Sequence, residues 1–230
     1  MLRKFMFAVL RYMAALSAYP LWLVFFKRKV YYEDRKAQSR FVKGPALVIS
    51  NHYCARDFML MALMFPFRKL WVVLSEQMFR KSKFFDWAAN IYGGICADRD
   101  IQGLRFVDRS IEVLEQGGLV QIFPEAYVTR TGKMQEFKTS YLLIALRAGV
   151  PLLPVMLDGN YGFRKRAHVL IGKPIDLNDY NLPLNPTREQ LVELNEKIRD
   201  HCLALREELD RRIAADRKGR PSASDTHSND

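Results

Sequence analysis

Five short apolar runs, separated by stretches of helical periodicity, constrain this chain more than any other feature. They are "PALVIS" (45–50), "KLWVVL" (69–74), "GLVQIFP" (118–124), "PLLPVML" (151–157) and "AHVLIG" (167–172). Runs of this length, apolar at consecutive positions, read as strands buried on both faces. Such strands belong in a parallel sheet covered by helices. The intervening segments supply the helices. Residues 103–116 place Phe106, Val107, Ile111, Val113 and Leu114 on one broad face and stop at Gly117 and Gly118. Residues 138–148 repeat the pattern and stop at Gly149. A last helix, 188–215, carries Leu191, Leu194, Ile198, Cys202, Leu205 and Leu209 at three- and four-residue spacing. That stripe is too short for a sustained coiled coil and is expected to dock on the domain. The expected fold is α/β, a largely parallel sheet flanked by helices, with ligands gathering at the carboxyl ends of the strands. At 230 residues, 49% of them hydrophobic, the chain can build one catalytic-size domain.

Charge is concentrated at the N-terminus. Residues 1–45 hold ten Lys or Arg against Glu33 and Asp34, out of a formal net charge of +11. Most of this surplus flanks the uncharged, aromatic-rich segment "YMAALSAYPLWLVFF" (12–26), bracketed by Arg11 and by Lys27, Arg28 and Lys29. A perpendicular membrane span needs roughly 20 apolar residues. This segment is 15 long and carries Pro20, so it is expected to anchor in one leaflet. Its aromatic residues and flanking cations suit the headgroup region of an anionic surface. A buried core helix and a cleaved signal peptide are the competing readings. The second is the weaker, because Arg11 interrupts the apolar stretch and "PLWLVFF" follows any cleavage point near Ser17.

Three cysteines (Cys54, Cys96, Cys202) without framework spacing fit a reducing compartment without structural disulfides. The four histidines are scattered and there is no CxxC, so no metal is expected. Nucleic-acid binding would rest on charge alone, and the basic residues hug an apolar segment, so no nucleic-acid partner is expected.

The chemistry-bearing stretch is "NHYCARD" (51–57), directly after the first apolar run. Along a continuous helix, His52 and Asp57 would point about 140° apart. If the strand ends before Asn51 and a helix begins near Asp57, the carboxylate can reach back to the imidazole. It would then fix the tautomer and leave the other nitrogen to take a proton from a substrate. The competing reading makes Asp57 a helix-start charge only. Cys54 can be a nucleophile in principle, but a small packed residue is the simpler reading.

Four segments in order make these residues more specific. "NHYCARD" resembles the NHxxxxD motif of the glycerolipid acyltransferases related to lysophosphatidic acid acyltransferase. "GGICADR" (93–99) resembles the family's second motif and "IFPEAYVTRTGK" (122–133) its FPEGTR segment. "AGVPLLPVML" (148–157) resembles its apolar fourth motif. The resemblance, over roughly 44–175, implies a glycerolipid-acyltransferase-like fold. It also implies a membrane-associated O-acyltransferase that uses no metal or other cofactor and takes acyl-CoA or acyl carrier protein as donor. The acceptor implied is a lyso-glycerolipid, foremost 1-acyl-glycerol-3-phosphate giving phosphatidic acid. His52 would be the general base and Asp57 its orienting carboxylate. Arg99, Glu125 and Arg130 would bind the acceptor and its phosphate.

Two positions depart from the family pattern. Ala126 stands where FPEGTR has glycine and Val128 where it has arginine. Alanine tolerates positive φ less well than glycine, which implies a differently shaped loop. The missing arginine leaves open a different lyso-lipid acceptor, or a non-catalytic membrane-binding homologue. The expected organisation is an anchor at 1–29, a catalytic domain at 30–185, a docked amphipathic helix at 186–218 and a disordered tail at 219–230. The expected location is the cytosolic face of a membrane, with membrane lipids, the acyl donor and the acceptor as partners.

Overall fold

A computed structural model describes residues 27–54, 56–62, 64–65, 68–77, 93–97, 105–129, 131–162, 165–183 and 185–218. The segment 12–26 and the tail 219–230 lie outside the described residues. Among the described residues, no helix is long and apolar enough to cross a membrane.

The elements in chain order are β1 (Arg28–Tyr32), β2 (Ala46–Ile49), α1 (Asp57–Ala62), β3 (Leu70–Ser75), β4 (Gly94–Ala97), α2 (Arg105–Glu115), β5 (Leu119–Ile122), α3 (Ser140–Ala148), β6 (Leu152–Leu157), β7 (Ala167–Ile171) and α4 (Arg188–Lys218). A 3₁₀ turn, Leu177–Tyr180, precedes α4. The strands form one sheet in the order β1-β7-β6-β2-β5-β3-β4. Neighbours from β6 to β4 run parallel, and β7 returns antiparallel to β6. β1 then pairs parallel with β7, with Lys29 opposite His168. The start of β1 therefore lies at the edge of the sheet where the central parallel strands end. β1 also begins two residues ahead of the expected 29/30 boundary.

The side-chain alternation of β2 builds both halves of the core. Leu47 and Ile49 join one apolar cluster with Val113 and Leu114 of α2, Leu142 and Ile144 of α3, and the α4 stripe. Ala46 and Val48 join the other with Leu60 and Met61 of α1 and Val155 and Leu157 of β6. The sheet is thus covered on both faces, which is why its central strands are almost wholly apolar; Gln121 of β5 is a buried exception, its Nε2 donating to Ser50 Oγ at 2.6 Å. Along α4, Ile198, Cys202 and Leu209 are fully buried. Each such aliphatic side chain contributes about 1.5–3 kcal/mol relative to exposure. Burial also pushes the Cys202 thiol up to about 12, so it packs as a neutral, unreactive group. Helix α3 stops where Gly149 turns left-handed at φ 60°, its N–H satisfying carbonyls of the last turn.

Candidate active site

β2 ends at Ile49, and its continuation carries the site. Asn51 locks the turn to β6: its Nδ2 donates to the Leu157 carbonyl at 3.0 Å and its Oδ1 accepts the Leu157 N–H at 2.8 Å. The chain then folds back on itself, with the Asp57 N–H donating to the Cys54 carbonyl at 3.0 Å. That turn makes Asp57 the first residue of α1 and aims its carboxylate at the residues just before it.

Asp57 is fully buried. Its Oδ2 accepts His52 Nδ1 at 2.8 Å and the backbone N–H groups of Tyr53 at 2.6 Å and Cys54 at 2.8 Å. Oδ1 accepts the Tyr161 hydroxyl at 2.6 Å and, more weakly, the Cys54 thiol at 3.7 Å. These donors compensate a charge that would otherwise be prohibitive in the interior. Burial, and then the Asp57 carboxylate set against the hydroxyl, raises the Tyr161 pKa well above the usual tyrosine range. Tyr161 is therefore a neutral donor. With a carboxylate accepting at Nδ1, the proton is held there and Nε2 is the basic nitrogen. The imidazole side chain is 17% exposed, enough for a ligand to reach it, and stacks on Phe123 at 4.1 Å between ring centroids.

The loop after β5 grips His52 from both sides. Glu125, only 2% exposed, accepts the His52 N–H at 2.9 Å through Oε1 and the Gln135 N–H at 2.8 Å through Oε2. The Thr129 N–H donates to the His52 carbonyl at 2.9 Å. Burial raises the Glu125 carboxyl above its ordinary 4.5, opposed by those two backbone donors. A carboxyl raised in this way binds more protons folded than unfolded. Its contribution favours the folded chain most fully below pH 4.5 and is lost as pH rises through the raised value. Glu125→Gln removes that dependence. The stability difference, wild type minus variant, is expected to fall as pH climbs from about 4.5 and then to level off. Denaturant titrations across that range check it, and a flat difference contradicts the assignment.

Ala126 follows at φ 59°, so the loop keeps the left-handed conformation that glycine favours even though a side chain is present. Holding alanine there costs about 1–2 kcal/mol, part of which glycine's larger unfolded-state entropy cancels. Ala126→Gly is expected to stabilise the chain by about 0.5–1 kcal/mol, readable as a raised denaturation midpoint.

Of the sequence-derived residues, His52, Asp57 and Glu125 come together at one point; Arg99 and Arg130 lie outside the described residues. Tyr161, Phe123 and Asn51 were not singled out by the sequence. Neither was the support of Tyr53, whose hydroxyl accepts from Arg206 Nε of α4 at 3.0 Å. The Tyr53 ring rests on Gly159, where a Cβ would come within 2.7 Å of it.

Fold and site together define an α/β protein with a hydrogen-bonded His–Asp pair at the carboxyl edge of a mostly parallel sheet. A family model described as Acyltransferase matches residues 27–158, more than half of the chain, and the chain belongs to that family. The Arabidopsis thaliana protein named 1-acyl-sn-glycerol-3-phosphate acyltransferase LPAT1, chloroplastic, is 24% identical over 206 residues, covering 83% of this chain and 54% of the relative. The Pseudomonas aeruginosa 1-acyl-sn-glycerol-3-phosphate acyltransferase is 27% identical over 141 residues, covering 60% and 53%. This chain thus spans about half the length of these two relatives. The crystal structure of the 1-acyl-sn-glycerophosphate (LPA) acyltransferase PlsC from Thermotoga maritima shares the fold, with a TM-score of 0.60 at 20% identity over 96% of this chain and 83% of that one.

Proposed function

We propose that this chain is a membrane-associated O-acyltransferase. It moves a fatty acyl group from acyl-CoA or acyl carrier protein to the hydroxyl of a lyso-glycerolipid, foremost 1-acyl-glycerol-3-phosphate. The observation that carries this reading is the 2.8 Å contact between His52 Nδ1 and the fully buried Asp57 carboxylate, which leaves Nε2 as an accessible base. Nε2 takes the acceptor hydroxyl's proton as the oxygen attacks the thioester carbonyl. The tetrahedral adduct expels the donor's thiolate, and the imidazolium returns the proton to it. Asp57 stabilises the imidazolium between these steps. Arg99 and Arg130 hold the acceptor phosphate, and Glu125 organises the acceptor end through the loop it ties to His52. The apolar segment 12–26 keeps the site at a cytosolic membrane face, consistent with β1 starting at the same sheet edge that carries His52.

One observation favours a second acceptor. The loop that follows Glu125 presents Tyr127 and Val128, 53% and 41% exposed, where the family segment carries a basic residue. Such a rim suits a lyso-lipid with a less charged headgroup.

The test is to incubate the purified, detergent-solubilised chain with acyl-CoA or acyl carrier protein thioesters and a panel of lyso-lipids. Thiol release and the acylated product are followed by mass spectrometry. Transfer to lysophosphatidate is the expected result. Transfer only to another lyso-lipid keeps the chemistry and moves the acceptor. No transfer from any donor overturns the enzymatic reading in favour of a non-catalytic membrane binder.

A further inference from the structure

A second cluster of polar groups lies at the same edge of the sheet as His52, on the far side of β6. Asp158 follows β6 directly, and its Oδ2 meets His168 Nδ1 of β7 at 2.7 Å, with the two side chains 8% and 13% exposed. His168, held from behind by Asp158, lines a cleft of about 350 Å³, whose other lining includes Lys29, Lys165, Arg166, Asp216 and Arg217. That volume is in the range of small-molecule sites.

The charges in the cleft do not cancel. Lys29 is paired with Asp216, which also accepts the Tyr31 hydroxyl. This leaves Lys165, Arg166 and Arg217, none of which forms an ion pair among the described residues. These three cations come from separate parts of the chain, the β6–β7 connection and the end of α4, and converge with Lys29 because β1 pairs with β7. Three cations without an ion pair among the described residues, gathered around one recess beside a tethered imidazole, supply the charge and donors that recognise a phosphate group.

We propose that this cleft is a phosphate-binding site distinct from the His52 centre. Two sources present that chemistry at this edge: the headgroup of an anionic membrane lipid and the phosphates of coenzyme A. The inference does not require His52 to perform acyl transfer, because binding alone tests it.

The experiment compares the full chain with a cleft variant, Lys165→Ala/Arg166→Ala/Arg217→Ala. A control, Lys43→Ala/Arg147→Ala/Lys173→Ala, removes the same charge from exposed positions at the opposite edge of the sheet. One arm is flotation on phosphatidylcholine vesicles with and without phosphatidic acid. The other is equilibrium dialysis against coenzyme A. Each cation at an anionic surface is worth a factor of about five, so the cleft variant is expected to lose about a hundredfold of the phosphatidic-acid-dependent binding. The control is expected to lose less than about threefold, since its charges face away from the surface and are screened. A selective loss of coenzyme A binding instead also supports the site and assigns its phosphate to the donor. Equal losses in cleft variant and control reduce the effect to net charge and overturn the proposal, as does no loss in either arm.

Discussion

Replacing His52 by alanine is expected to lower acyl transfer by about 10²- to 10⁴-fold, the range lost when a general base is removed. The loss should fall on kcat, since the imidazole acts on the proton in flight and not on the acyl chains or headgroup that set substrate affinity. The same substitution should leave the fold in place. What ties His52 to Glu125 and Thr129 is its backbone N–H and carbonyl, and alanine keeps both. Asp57 also keeps the Tyr53 and Cys54 amides and the Tyr161 hydroxyl. The structural cost is then one hydrogen bond and a stacking contact with Phe123, about 1–2 kcal/mol together. Initial rates of thiol release, read beside a denaturation midpoint, separate the two effects. A variant that is well folded and within about threefold of wild type would remove His52 from the chemistry.

The central architecture was legible because its physics is local. β2, β3, β5, β6 and β7 coincide with the five apolar runs to within a residue or two, since a strand buried on both faces has to be apolar at consecutive positions. Helix α2 ends just before Gly117 and α3 at Gly149, the glycines that mark their stops in the sequence. The two strands without such a signal, β1 and β4, are the two edges of the sheet. Every residue of β1 is only half-buried and its first two are basic, so it reads as the flank of the preceding segment. β4 is four residues long and starts with glycine.

Legibility in the site falls away with distance along the chain. His52 and Asp57 are five residues apart, and one strand end is enough to suggest how they meet. Tyr161 is 104 residues from Asp57, brought to it by the connection between β6 and β7, and nothing near it in the sequence marks it. Glu125 stands out in its motif, but its bond to the His52 amide exists only because β5 lies beside β2. Ala126 shows the limit of reasoning from residue type. Its side chain argues against positive φ, yet the contacts on either side hold the loop there.

Asp57 should separate chemistry from structure when it is replaced in two ways. Asparagine keeps the shape. The fixed N–H groups of Tyr53 and Cys54 demand an acceptor at the Oδ2 position, so the amide oxygen settles there and still accepts His52 Nδ1–H. The amide NH₂ then faces the Tyr161 hydroxyl, which can rotate to accept from it. What Asp57→Asn loses is the negative charge beside the imidazolium that forms as the acceptor is deprotonated. A rate loss of about 10²- to 10⁴-fold is expected with a modest change in stability. Alanine removes the acceptor altogether and leaves two backbone N–H groups and a hydroxyl unpaired at a fully buried position. Asp57→Ala should therefore lose activity and also about 3–5 kcal/mol of stability. The comparison is decisive because only the asparagine variant isolates the charge. If it transfers acyl groups at close to the wild-type rate, Asp57 is a structural bolt for the 52–57 turn, and His52 draws its basicity from elsewhere.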